Sequence, residues 1–242
     1  MRTRGIGIDI LRDPEALARH AADEVLAAAK ATEGNFAIAL SGGSTPRRLY
    51  ELLARSPYRD AVPWHRTHVF WGDERFVPKA DARSNYRMTH EALLSRVPIP
   101  SANVHPIPTE DTTSAGAAIE YEKALKSFYG SGALDPSRPL FDVTLLGLGA
   151  DGHTASLLPG SRALAERERW VVAVTEGALE PRISLTYPPL ESSRQVLFLV
   201  EGTEKRAVFE RVRRGDDLPA TKLKPVGTLL WLVDKAVAGQ SQ

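Results

Sequence analysis

The chain has 242 residues, 43% hydrophobic and 25% charged, enough to bury a substantial core as one large α/β domain or two small ones. A formal net charge of +1 excludes a bulk electrostatic pull toward nucleic acid. The lack of cysteine excludes disulfides and thiolate chemistry and fits a reducing compartment. Arg2 and Arg4 are followed by no signal-like apolar region, and no apolar run approaches a membrane span, so a cytoplasmic soluble protein is expected.

In chain order, Asp13 and Pro14 predict the N-cap and first turn of an alanine-rich helix over 14–32. Gly34-Asn35 is a turn, and Phe36-Ala37-Ile38-Ala39-Leu40 is a short apolar run of the kind that forms a buried strand. A helix over 46–55 and a strand over 67–71 follow. Residues 84–96 read as a helix that Val97-Pro98-Ile99-Pro100 ends, leading to a strand near Val104. Another amphipathic helix covers 115–128. Strands are expected at 141–146, 170–174, 183–186, 195–200 and 228–233, with a helix at 203–213.

Strands alternating with helices predict a Rossmann-like, doubly wound α/β fold: a mostly parallel sheet with helices on both faces. Residues 131–139 and 214–225 are linker-like but divide no compositionally distinct halves, and there is no internal repeat. A single domain over 1–242 is expected, with room for a small accessory subdomain that the sequence does not locate.

Three strand ends carry the chemistry. Ser41-Gly42-Gly43-Ser44-Thr45-Pro46 follows a strand and opens a helix. Bare N–H groups at Gly42 and Gly43, with Ser44 or Thr45 as the cap, make an anion site, although no Lys-Ser/Thr completes a Walker A loop. Trp71-Gly72-Asp73-Glu74-Arg75 supplies Asp73 and Glu74 as candidate acids or bases and Arg75 as an anion clamp. Gly147-Leu148-Gly149-Ala150-Asp151-Gly152-His153 follows a buried apolar run and holds a histidine two residues from an aspartate.

Gly147, Gly149 and Gly152 also match the dinucleotide fingerprint, but Pro159-Gly160 breaks the long helix that fingerprint needs, so no nucleotide cofactor is expected. Each motif alone has an ordinary structural explanation. In a parallel sheet, however, all three loops leave the same edge and face one crevice. The remaining histidines, His20, His65, His68, His90 and His105, are scattered and suggest no metal site. Lys205, Arg206, Arg211, Arg213 and Arg214 read as a solvated helix face, with Lys205 alone at the crevice end.

These segments, together with Ser84-Asn85-Tyr86, Thr154-Ala155-Ser156, Pro181-Arg182-Ile183-Ser184-Leu185-Thr186 and Gly202-Thr203-Glu204-Lys205, resemble the 6-phosphogluconolactonases over about residues 10–234. Leu158 departs from the phenylalanine common before the following proline, an apolar exchange. Glucosamine-6-phosphate deaminases share the Ser-Gly-Gly-Ser-Thr-Pro loop, but there the Asp-Gly-His stretch continues into Asn-Glu-Pro. Here it continues Thr154-Ala155-Ser156-Leu157-Leu158-Pro159, without that glutamate. A non-catalytic sugar-phosphate sensor on the same fold is the third reading, and such sensors usually carry a DNA-binding unit.

The resemblance implies hydrolysis of 6-phospho-D-glucono-1,5-lactone to 6-phosphogluconate in the oxidative pentose phosphate route, with no cofactor or metal. It implies His153 as the base that deprotonates water and then protonates the leaving ring oxygen, with Asp151 orienting the imidazole and Asp73 as the alternative partner. Backbone N–H groups of the glycine loop, or Arg75, would meet the oxyanion. The 6-phosphate would lie on Ser41, Gly42, Gly43, Ser44 and Thr45, with Arg182 and Lys205 as cationic contacts and Arg75 serving phosphate or sugar. The partner is thus a small sugar phosphate rather than nucleic acid or a membrane. The oligomeric state stays open, and a monomer is compatible with the sequence.

Overall fold

The structure is a computed structural model that describes residues 5–177 and 179–239. The chain opens with β1 (Ile6–Leu11) and α1 (Pro14–Ala31), followed by β2 (Phe36–Leu40), α2 (Ser44–Leu53), α3 (Tyr58–Ala61), β3 (Thr67–Trp71) and β4 (Asp73–Arg75). Then come α4 (Asn85–Ala92), α5 (Ser114–Tyr129), β5 (Phe141–Leu146), β6 (Val171–Val174), β7 (Arg182–Leu185) and α6 (Tyr187–Glu191). The chain closes with β8 (Ser193–Val200), α7 (Arg206–Arg213), β9 (Thr228–Asp234) and α8 (Lys235–Ala238).

Six strands form one parallel sheet in the order β1-β9-β8-β5-β2-β3. From the middle, β2 leads outward to β3, whereas β5 leads the other way to β8 and β9. The reversal lies between β2 and β5, whose pairing consists of Ile38↔Val143 and Ala39↔Thr144. Open α/β sheets place their ligand crevice at such a reversal, beyond the carboxyl ends of the strands. The strands here are buried on both faces, which is why β2 and β5 read as near-continuous apolar runs.

A second, antiparallel sheet, β4-β7-β6, is the accessory unit that the sequence left unplaced. Gly72 joins the two sheets: its N–H donates to Leu40 O at 2.8 Å and its C=O accepts from Leu185 N at 2.8 Å. One contiguous apolar core, including Phe36, Trp71, Leu145, Ile183 and Leu185, runs beneath both sheets.

Helix α1 starts as expected, with Asp13 Oδ1 accepting from Ala16 N at 2.8 Å. Other elements differ from expectation. The sequence reading missed β1 because Gly7 and Asp9 interrupt its isoleucines, and as an edge strand it leaves Ile6, Ile8 and Ile10 exposed. Residues 73–75, read as loop, are strand β4, where short length and charged residues hide the pairing. The helix expected over 84–96 breaks at Leu93 into α4 and a short 3-10 turn, and the one expected from 203 begins as a 3-10 turn before α7. Val104 makes a single bridge to Val69 rather than a strand.

Two scattered histidines meet on this frame. His68 Nδ1 and His105 Nε2 are 3.0 Å apart, so one ring donates and the other accepts. His105 stacks on Phe70, with centroids 4.4 Å apart. Burial lowers the pKa of His68, and burial together with His68 takes His105 down to about 4. A histidine depressed in the fold takes up protons more readily when unfolded, so stability falls as pH drops from about 6.5 toward 4. Urea unfolding at pH 7 and pH 5 should show His105→Gln losing less stability on acidification than wild type. The difference should be on the order of 1–2 kcal/mol after allowance for the partial exposure of the ring.

Candidate active site

The loops after β2, β3 and β5 border one cleft of about 300 Å³, as their common sheet edge predicted. Ser41, Gly42, Gly43, Asp73, Arg75, Asn85, His153 and Arg182 line it, with Lys205 reaching in from the turn before α7. A larger groove of about 710 Å³ lies at the opposite, amino end of the strands beside α1. Its buried acid, Asp142, already accepts from Ala37 N and Thr32 Oγ1 and pairs with Arg194. Chemistry rather than volume therefore selects the smaller cleft.

The glycine loop bends as an Asp–His pair requires. Gly149 N donates to His153 O at 2.8 Å and Gly152 N to Gly149 O at 3.0 Å, folding the segment back on itself. Gly152 takes φ +90, a conformation that disfavours any side chain, and packs against Leu218. Asp151 Oδ1 then lies 2.6 Å from His153 Nδ1 and also accepts the His153 N–H at 3.1 Å. Bonding at Nδ1 leaves Nε2 as the free ring nitrogen. Burial pushes the Asp151 carboxyl up, but the His153 N–H and imidazole outweigh it and hold the acid below its usual range.

Asp73, the alternative partner, has a different bond. It is buried, and its Oδ2 accepts from Ser156 Oγ at 2.6 Å. Asp151 is the carboxylate hydrogen-bonded to the imidazole. Glu74, read as a possible acid or base, is corrected by the structure. Its carboxylate accepts from Arg75 N, Asn85 N, Tyr86 N and Ser84 Oγ and so anchors the amino end of α4. Burial raises the pKa of Glu74 against the pull of those three backbone N–H groups.

The cationic side is built across a strand pair. Arg75 on β4 stands opposite Arg182 on β7, both facing the cleft. The Nε atoms of both are buried without a hydrogen-bond partner, although Arg75 Nη1 donates to Arg83 O at 3.0 Å. Among the described residues neither Arg182 nor Lys205 has an ion-pair partner. Buried guanidinium donors left open beside one another are arranged for a multivalent anion.

The capping expectation at the first loop needs correction. Gly43, at φ +112, does the turning, so α2 begins at Ser44 and has no side-chain cap. Ser44 and Thr45 lie in the first turn, outside the cleft lining. Asn85 was overlooked as a site residue, although Ser84-Asn85-Tyr86 carries part of the resemblance. Its Nδ2 donates to Asp73 O at 2.9 Å, and a Cβ at Gly42 would lie 1.9 Å from its Oδ1, so Gly42 must be bare. Ser156, which holds Asp73, follows Ala155, whose φ of +48 marks local strain at the cleft wall.

The fold and cleft define a doubly wound α/β protein that offers an oriented imidazole and a cluster of cations to one small ligand. The chain belongs to the family described as glucosamine-6-phosphate isomerases/6-phosphogluconolactonase, which it matches over residues 12–231. It is 41% identical over 241 residues to a 6-phosphogluconolactonase of Nostoc, covering 96% of this chain and 97% of the relative. The crystal structure of 6-phosphogluconolactonase from Thermotoga maritima superimposes with a TM-score of 0.82 at 30% identity, covering 95% of this chain and all of the other. A monomeric glucosamine-6-phosphate deaminase gives a TM-score of 0.80 over 97% of this chain at 18% identity, a likeness of fold.

The bare space at Gly149 gives a test of the pair. A Cβ there would lie 2.1 Å from His153 Nδ1 and 2.7 Å from Asp151 Oδ1. Gly149→Ala should therefore fold, by circular dichroism, yet lose about a hundredfold in turnover through misplacement of the imidazole.

Proposed function

We propose that the chain is a 6-phosphogluconolactonase, an enzyme that hydrolyses 6-phospho-D-glucono-1,5-lactone to 6-phospho-D-gluconate in the oxidative pentose phosphate pathway. The observation that carries this reading is the imidazole of His153, bonded to Asp151 at 2.6 Å and opening on the same cleft as Arg75, Arg182 and Lys205. A base and an anion site within one cleft suit a phosphorylated ester.

In this mechanism His153 Nε2 takes a proton from water, whose oxygen attacks the lactone carbonyl carbon C1. The tetrahedral intermediate collapses by breaking the bond from C1 to the ring oxygen, and the imidazolium returns its proton to that oxygen. Asp151 fixes the ring with Nε2 outward and stabilises the imidazolium, as the carboxylate of a hydrolase triad does. The N–H groups of Gly149 and Gly152 are already bonded within the turn, so the oxyanion draws on other backbone donors at the cleft or on Arg75. The phosphate sits at the Gly42-Gly43 turn, with Arg182 and Lys205 completing its charge balance and Asp73 accepting from a sugar hydroxyl. No cofactor or metal takes part. The chain works as one domain, in the cytoplasm, on a small sugar phosphate rather than on nucleic acid or a membrane.

Stopped-flow proton release from freshly made lactone tests the reading, with an enzyme-free control because the lactone opens spontaneously. Wild type should exceed the control, and His153→Ala should lose about 10²–10⁴-fold in turnover while keeping its affinity for 6-phosphogluconate. Wild-type release at the control rate, alongside ammonia release from glucosamine 6-phosphate, would transfer the chain to the deaminases. Arg182→Ala should weaken 6-phosphogluconate binding at least about tenfold by calorimetry, the scale of one lost charge-assisted hydrogen bond. Unchanged affinity would remove Arg182 from the phosphate site.

A further inference from the structure

Two buried tyrosines make the same unusual pair of hydrogen bonds at the carboxyl ends of β2 and β3. Tyr50 on α2 donates its hydroxyl to Ser41 O at 2.8 Å and accepts from Ser41 N at 3.0 Å. Tyr121 on α5 donates to Trp71 O at 3.0 Å and accepts from Trp71 N at 2.8 Å. Both side chains are fully buried.

Their positions follow from the sheet. Ala39 of β2 pairs with Thr144 of β5, and Ser41 is the next residue whose backbone faces β5. There the strands have parted, and the Tyr50 hydroxyl takes the place of the missing rung. β3 is an edge strand, and at Val69 its outer side still receives His105 N, at 2.9 Å. Two residues on, at Trp71, that segment has left and the Tyr121 hydroxyl satisfies both backbone groups. One hydroxyl can serve an N–H and a C=O together because it is donor and acceptor at once. Burial raises the pKa of both phenols, so they keep that dual role across the working pH range.

We propose that Tyr50 and Tyr121 are positioning residues of the site, each standing in for an absent strand where β2 and β3 end. Tyr50 thereby fixes where residues 41–43 leave the sheet toward the phosphate. Tyr121 fixes where the chain passes through Gly72 into β4, which carries Asp73 and Arg75. The sheet can then open into a cleft without orphaning the backbone groups at its last rungs, a loss that otherwise costs stability and register.

The expected effect on turnover rests on the lactonase reading. Tyr129 provides the control, since its hydroxyl donates to Arg138 O at 2.7 Å and accepts from Asp135 N at 2.9 Å, ahead of the first residue of β5 and away from the cleft. Kinetics on 6-phosphogluconolactone, calorimetry with 6-phosphogluconate and melting curves would be compared for Tyr50→Phe, Tyr121→Phe and Tyr129→Phe.

Tyr50→Phe should raise KM and Kd about tenfold with kcat nearly unchanged, the mark of lost ground-state binding. Tyr121→Phe should lower kcat as well, because β4 carries Arg75, a candidate contact of the oxyanion. Tyr129→Phe should lower the melting temperature and change neither constant. Tyr50→Phe and Tyr121→Phe that melt lower but keep wild-type KM, Kd and kcat would overturn the proposal.

If a variant fails to fold, hydrogen exchange on wild type decides. The Ser41 and Trp71 amides should exchange only through global unfolding, and fast exchange by local opening would overturn the proposal. Wild type that binds 6-phosphogluconate without hydrolysing the lactone would sink the lactonase reading while leaving the Kd comparison intact.

Discussion

Strands β2 and β5 lie side by side at Ile38↔Val143 and Ala39↔Thr144, after which their backbones separate. The chain leaves β2 toward one edge of the sheet and β5 toward the other, so no strand fills the gap beyond. Two bare turns, at Gly42-Gly43 and at Gly147 to Gly152, are thereby brought to face each other across a cleft. Every feature of the site is arranged around this opening. Gly72 carries β3 over into the small sheet, whose β4 and β7 set Arg75 and Arg182 against one wall. The His153 loop borders the same cleft, and Ser156 just beyond it bonds to Asp73 of β4 and Ser184 of β7.

Electrostatics within the cleft divide by bonding state rather than by charge count. The carboxylates are occupied: Asp151 with His153, Asp73 with Ser156, and Glu74 with the amino end of α4. The cations facing the same space keep open donors, with the Nε atoms of Arg75 and Arg182 unpaired in the protein. A cleft of this kind attracts an anion, because the carboxylates that could neutralise the cations are already hydrogen-bonded within the protein. Two glycines of the cleft have a definite neighbour. Gly42 yields to Asn85 and Gly149 to the Asp–His pair, so small residues fall where side chains of the site need the room.

Fold alone does not separate the two activities named in the family description. A deaminase and a lactonase superimpose on this chain with TM-scores of 0.80 and 0.82. In this chain the short segment after His153, Thr154-Ala155-Ser156, places a serine hydroxyl on Asp73. A shared scaffold with loop-borne chemistry is the general rule for doubly wound folds.

The sequence by itself determined the parallel, helix-covered sheet and the facing of the three loops after β2, β3 and β5 into one crevice. Those inferences rest on local signals: apolar runs such as Phe36 to Leu40, glycines after strands, and the capping pair Asp13-Pro14. Tertiary structure decided which acid meets His153, because a pair two residues apart converges only when Gly149 and Gly152 fold the loop back. It also decided that Glu74 is an anchor for α4 and that Arg75 stands opposite Arg182. It gave Tyr50 and Tyr121 their place at the strand ends. Each of these joins residues far apart in the chain or depends on a single backbone turn. Residue type and spacing carry no record of such contacts until the sheet brings the partners together.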